Sequence, residues 1–358
     1  MKALAVAAVA LLLAGCASRA PSPAAADAAA PPPGPAAPAT DPAAADPGAR
    51  PQAGGGVLGR NERLLVYSPV AGDTLAGIGA RFMSDAHAAW LLADANHGIT
   101  QPEPGVPLVV PLRPLNPAGL LADGLQTVPI LCYHRLGAGS SKMVVAPAQF
   151  EAQMNWLVDN GYRVIALADL AAFLAGRRQL PQRAVVITFD DGYASVYRHA
   201  YPVLKRLGLP ATVFVYTDFI GGGDALTWPQ LREMQLSGLI DLQSHSKSHR
   251  NLTERLPAEN DERYRSQLDQ EMRAPRELLE RRLPALQVRH LAYPFGDAND
   301  TVLDAASRHG YTLGATVVPG GNPFYAHPLM LRRTMIFGDT TLDAFRTRLQ
   351  VSRPLAAP

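Results

Sequence analysis

"AVVITFDDGYASVYRHAYPVLKRLG", Ala184 to Gly208, decides how this chain folds. It begins with a short apolar run, rich in β-branched side chains, of the length of one buried strand. From Tyr193 the pattern reads as a helix that Gly208 stops. Between the two, where the strand should end, Asp190 and Asp191 stand side by side. Like charges repel, and a strand end beside an apolar core is a poor place for them, so the pair needs a chemical reason.

The same strand–helix unit recurs in both directions. Upstream, "VPILCYH" is an apolar run, and "PAQFEAQMNWLVDNG" puts Phe150, Met154 and Leu157 on one helical face, with Pro147 near its start and Gly161 past its end. "YRVIAL" reads as a strand and "LADLAAFLAG" as a helix. Downstream come strand "ATVFVY", helix "TWPQLREMQLSG" with Thr227 as N-cap, strand "LIDLQSH", and a long charged helix from about Ala258 to Leu283. Strand "RHLAYPFG", helix "DTVLDAASRHG", strand "TLGATVV" and helix "TLDAFRTRL" complete the series. Alternating elements of this kind predict an α/β class, a parallel sheet covered by helices. About seven units over about 225 residues suit a barrel better than an open sheet.

In parallel α/β architectures the chemistry gathers at the carboxyl ends of strands. The polar residues there are His134, Asp190 with Asp191, His245, and the group Tyr293-Pro294-Phe295-Gly296. His245 and His249, in "SHSKSH", are four apart, a spacing that on a helical turn places both imidazoles on one face. Two histidines and one carboxylate leave coordination positions open on a metal ion, as catalytic metal sites need. Consecutive strand residues point to opposite sides, so one aspartate can bind the ion and the other can act as a base. The cation would relieve their repulsion.

"TFDDGY", "HSKSH" and "YPFG" resemble the first three motifs of NodB-homology polysaccharide deacetylases, over about residues 128–349. The resemblance implies a distorted (β/α)7 barrel and a divalent metal, most often zinc. It implies Asp190 as the base, Asp191, His245 and His249 as metal ligands, and the Phe295 backbone N–H as a donor to the oxyanion. The activity implied is removal of acetyl groups from N-acetylglucosamine polymers, peptidoglycan or poly-N-acetylglucosamine. Two family features are missing. No arginine stands near the third motif to orient the base: Ala292 and Tyr293 occupy that place, Arg289 lies further back, and Arg332 or Arg333 in "LRRTM" is the substitute. The late Leu-x-x-His motif that supplies the general acid is also absent, and His327 in "YAHPLML" does not fit it. "PILCYH" resembles the start of the circularly permuted subgroup that includes poly-N-acetylglucosamine deacetylases, in which a histidine closing the first strand is the acid; this implies His134.

The N-terminal part reads differently. Residues 1–15, with Lys2 and a short apolar run, form a targeting segment too short to span a bilayer. "LAGC" resembles the lipobox of bacterial lipoproteins, which implies a lipid on Cys16 and an anchor in the membrane; Ala17, rather than Asp, favours the periplasmic face of the outer membrane. An ordinary signal peptide with a chance cysteine is the alternative. The chain has two cysteines, so a lipidated Cys16 leaves Cys132 unpaired, a buried small side chain. Residues 16–60 are mostly Ala and Pro and cannot bury a core; they predict a tether able to span on the order of 100 Å. Residues 61–113 follow a strand–helix–helix–strand pattern whose "GDTL", "ANHGI" and "PGVPLVVP" resemble the LysM module, a small α+β glycan-binding unit, with Trp90 expected in its core. A small packing domain without sugar affinity is the alternative. Residues 114–127 read as a linker and 128–352 as the main domain.

The net charge of +2 gives no argument for nucleic acid, and 47% apolar residues suffice for a sizeable core. A monomer is expected. Two other functions fit the same residues: an O-acetyl-polysaccharide esterase, or a wall-binding lipoprotein without activity.

Overall fold

A computed structural model describes residues 55–354, apart from 86–87 and 258. Cys16, its proposed lipid and the tether up to residue 54 lie outside the described residues. Among the described residues no helix is long and apolar enough to cross a membrane.

The small N-terminal unit consists of β1 (Gly56–Arg60), β2 (Leu64–Ser68), α1 (Leu75–Met83), α2 (Ala89–Ala95) and β3 (Leu108–Pro111). The tether therefore ends earlier than its composition suggests, because β1 pairs antiparallel with β2, which pairs antiparallel with β3. Thr74 caps α1 by accepting from the Gly77 N–H at 3.0 Å. Leu65, Tyr67, Leu75, Ile78, Leu92, Leu108 and Val110 form its own core. Asn96, which ends α2, donates to the Leu92 and Val109 carbonyls and accepts from the Val109 N–H, tying the helix to β3. Trp90 is half-buried and lines a cavity of about 1090 Å³ rather than joining the core, contrary to the sequence expectation.

The main domain is built from β4 (Val128–Tyr133), α3 (Pro147–Asp159), α4 (Leu167–Leu174), β5 (Ala184–Phe189), α5 (Tyr201–Leu207), β6 (Ala211–Val215), α6 (Trp228–Leu236), β7 (Ile240–Ser244), α7 (Asp261–Arg282), β8 (His290–Ala292), α8 (Asp300–Arg308), β9 (Leu313–Ala315), β10 (Thr334–Met335) and α9 (Leu342–Thr347). The strands lie in the order β9-β8-β7-β6-β5-β4, all parallel. β10 then pairs parallel with β4, and Leu331, just before it, bridges parallel to Ala315 of β9. The segment 331–335 is thus the seventh stave, and the sheet closes through it into a distorted barrel.

Strand alternation explains the layers. On β5, Val185, Ile187 and Phe189 face out and pack with helix residues such as Phe150, Met154, Leu157 and Leu204. Ala184 and Val186 face the lumen with Val128, Ile130, Phe214, Ala292 and Leu313. Thr188 and Asp190 continue that inward row.

Some boundaries differ from expectation. "YRVIAL" yields only a two-residue strand, Arg163–Val164, paired with Ala184 and Val185 at the start of β5, because the chain turns into α4 at Leu167. The helix after Gly192 opens with a wide turn over Val196–Ala200 before α5. The supposed linker 114–127 belongs to the main domain: Gly124–Gln126 pairs antiparallel with Ser352–Pro354, and the buried Gln126 amide donates to the Pro181 carbonyl.

Candidate metal and catalytic centre

Register brings the first residues together. Cys132 on β4 pairs with Thr188 on β5, so two residues further on, inward-facing His134 and Asp190 are neighbours. One donor atom from each of Cys132, His134 and Asp190 lies within 4.8 Å of the others. Cys132 is buried, as expected, and its thiol sits 3.5 Å from Asp190 Oδ2.

Asp190 meets Arg333 inside the barrel. The guanidinium, fully buried, donates from both terminal nitrogens to the two carboxylate oxygens at 2.7 Å each, and its Nε donates to the Thr316 carbonyl at 2.8 Å. Burial pushes the Asp190 carboxyl up, but Arg333, with His245, outweighs it and the pKa falls to about 2. Of the two arginines that the sequence offered, Arg333 reaches Asp190; the Arg332 guanidinium turns to the Pro319 carbonyl.

Asp191 leaves the strand in a left-handed conformation, φ 71°. That turn swings its carboxylate out of strand alternation, so that Oδ1 lies 3.4 Å from His245 Nε2 and 3.2 Å from His249 Nε2. The donor atoms of these three residues lie within 4.8 Å of one another. Burial raises the Asp191 carboxyl, yet hydrogen bonds from the two imidazoles hold it well below the usual carboxylate range. His245 Nδ1 sits 2.7 Å from the Ala292 carbonyl, so that nitrogen donates there, and Nε2, which faces Asp191, would present a lone pair to an ion once its proton has left. One carboxylate and two imidazoles with open positions fit a divalent cation of the zinc type.

The histidines do not sit on a helical turn. They lie on an irregular loop after β7 in which Ser246 and His249 are left-handed, with φ 68° and 62°. With Asp191 and Phe295 (φ 61°), four of the seven non-glycine residues at positive φ among the described residues are here, so backbone strain is concentrated at this centre. Phe295 occupies a tight turn, Pro294–Gly296, with its ring exposed and 5.0 Å from that of His249. The Tyr216 ring lies 5.1 Å from that of His249 and stacks on that of Phe219. His134 is at the centre; burial lowers its pKa, against the opposing pull of Asp190 and Asp191. His327 lies elsewhere, lining a separate cavity of about 860 Å³.

One residue escaped the sequence reading. Glu271, on α7, accepts from the Lys247 and Ser248 N–H groups at 2.9 Å each and from the Ser248 hydroxyl at 2.6 Å. Its one signal was position: it falls on the buried stripe Tyr264, Leu268, Met272, Pro275, Leu279, where a carboxylate is out of place.

Known proteins show the same pattern. Residues 177–314 match the family model described as polysaccharide deacetylase. YxkH of Bacillus subtilis, described as a candidate polysaccharide deacetylase, is 36% identical over 193 residues, 54% of this chain and 65% of that protein, just under two thirds of its length. The poly-beta-1,6-N-acetyl-D-glucosamine N-deacetylase of Staphylococcus aureus is 26% identical over 52% of this chain and 67% of its own. The structure of the Streptococcus pyogenes deacetylase PplD, in complex with acetate, superposes with a TM-score of 0.57 at 28% identity, covering 64% of this chain and 99% of that one. Family model, relatives and solved structures point the same way: over its main domain the chain is similar to polysaccharide deacetylases.

Proposed function

We propose that this protein is a metal-dependent N-deacetylase that releases acetate from N-acetylglucosamine polymers of the cell envelope. One observation carries the reading: Asp191, His245 and His249 converge as an open ligand set beside Asp190, a buried base whose charge is held by Arg333. A divalent cation bound there would act as a Lewis acid on the acetamide carbonyl and lower the pKa of water. Asp190, ionised at neutral pH, takes the proton of the attacking water. The Phe295 N–H donates to the developing oxyanion. His134 protonates the leaving nitrogen. The rings of Tyr216, Phe219 and Phe295 around His249 offer a wall against which a sugar can pack.

The substrate named for the Staphylococcus aureus relative supports poly-N-acetylglucosamine. The test is acetate release, followed by mass spectrometry, from poly-β-1,6-N-acetylglucosamine, from peptidoglycan and from O-acetylated xylan side by side, with and without a chelator. Release from at least one of the first two, lost on chelation and restored by zinc, is expected. Release that ignores the chelator would refute metal dependence, and release only from O-acetylated xylan would make the protein an esterase.

The anchor is part of the same proposal: a lipid on Cys16 would hold the enzyme at the periplasmic face of the outer membrane, and the small unit at 61–113 would bind glycan. Changing Cys16 to Ser is expected to move the protein from the membrane to the soluble fraction. Unchanged fractionation, with no acyl mass on Cys16 of the wild type, would exclude the anchor.

A further inference from the structure

The loop that carries His245 and His249 lies outside helix and strand, two of its residues are left-handed, and the segment 217–218 holds it from one side only, through the Ser246 and Lys247 carbonyls. Yet metal affinity depends on how well the two imidazoles are placed before the ion arrives. We infer that Glu271 is the positioning residue that sets this loop for metal binding. The inference rests on the metal site proposed above.

The geometry is that of a clamp. In the turn after Ser246, the Lys247 and Ser248 N–H groups point the same way, into α7. Glu271 Oε2 takes both at 2.9 Å, and Oε1 takes the Ser248 hydroxyl at 2.6 Å. The carboxylate is buried, and three donors compensate a charge that would otherwise be costly in that place. Its helix is itself anchored: the Tyr311 hydroxyl donates to the Met272 carbonyl at 2.8 Å, and Arg276 to the His309 carbonyl at 2.6 Å. On the far side, Lys247 Nζ is 2.6 Å from Asp218, whose N–H donates to the Lys247 carbonyl at 3.0 Å. Within the loop, the Ser246 hydroxyl accepts from the His249 N–H at 3.0 Å. Glu271 therefore acts through the backbone between the two histidines, not on the ion.

The test uses the full chain and zinc alone, titrated against a chelating dye. Glu271→Ala is expected to weaken zinc binding by about 10–100-fold, the usual effect of losing a partner of a ligand shell. It should also change the visible spectrum of the cobalt(II)-loaded protein and speed amide exchange at Lys247 and Ser248. Glu271→Gln keeps an oxygen for both N–H groups and should stay close to wild type in affinity and spectrum. If Glu271→Ala does not fold, Ser248→Ala removes one of the three donors and should weaken zinc binding measurably. Wild-type affinity and an unchanged cobalt spectrum in Glu271→Ala, or in Ser248→Ala where that is the variant available, would overturn the inference and leave the metal site standing. Failure of the wild type to bind zinc any better than His245→Ala would overturn the metal site and this inference together.

Discussion

Replacing His134 with alanine is expected to slow acetate release by about 10²–10⁴, the range for losing a positioned proton donor, with metal content unchanged. An amide nitrogen leaves poorly as an anion, so the reaction needs an acid at the nitrogen. His134 is one inward step beyond the Cys132–Thr188 pair and is thereby placed beside Asp190. Its action requires the protonated ring, so kcat/KM of the wild type should fall on the alkaline side. Burial lowers the ring below its ordinary 6.5, which puts that limb below 6.5. The alanine variant should lose the limb. Turnover near that of the wild type, or an alkaline limb that persists, would remove His134 from the mechanism.

Arg333→Met should be the most destabilising single change in the barrel. It leaves the Asp190 carboxylate buried with its main counter-charge gone, a loss of about 3–5 kcal/mol, or roughly 6–20 °C in Tm for a domain of this size. The pH dependence separates this from a mere packing defect. In the wild type the Asp190 pKa is depressed from 3.8 to about 2, so its contribution is complete above pH 3.8 and is lost as the pH falls through 2. That contribution is about 2 kcal/mol. In the variant the burial that Arg333 had offset raises the carboxyl instead. Acidification then protonates it and removes the buried charge, so the difference in Tm between the two proteins should narrow from pH 7 towards pH 4. A difference that stays constant over this range, or stays under about 1 kcal/mol, would show that the pair contributes little.

The strands and helices of the barrel were legible because each pairs a short apolar run with a helical period, and the site was legible because its residues close those strands. Asp190, Asp191, His245 and His249 could be named as candidates from motif and position alone, and the fold does bring them together. The geometry that makes them a centre could not. Whether Arg332 or Arg333 faces the lumen depends on the parity of a two-residue strand, β10, too short to carry a periodic signal. The spacing i, i+4 of the loop 245–249 suggests a helical turn; its contacts with Glu271 and Asp218 are tertiary and leave no local signal. Glu271 itself was hidden among the many charges of α7.

The seventh stave has a consequence for the order of events during synthesis. Arg333 follows Asp190 by 143 residues, so at about 5–20 residues per second this carboxylate leaves the ribosome roughly 7–30 s before its counter-ion exists. During that interval β4 lacks its β10 neighbour, and its exposed edge is a template for wrong pairing. Asp191, His245 and His249 all precede Arg333 in the chain, so a nascent protein possesses the proposed ligands before it can pair the Asp190 carboxylate. Chains truncated ahead of Leu331 are therefore expected to remain open and prone to aggregation, and the final acquisition of activity should coincide with arrival of the segment that closes the ring.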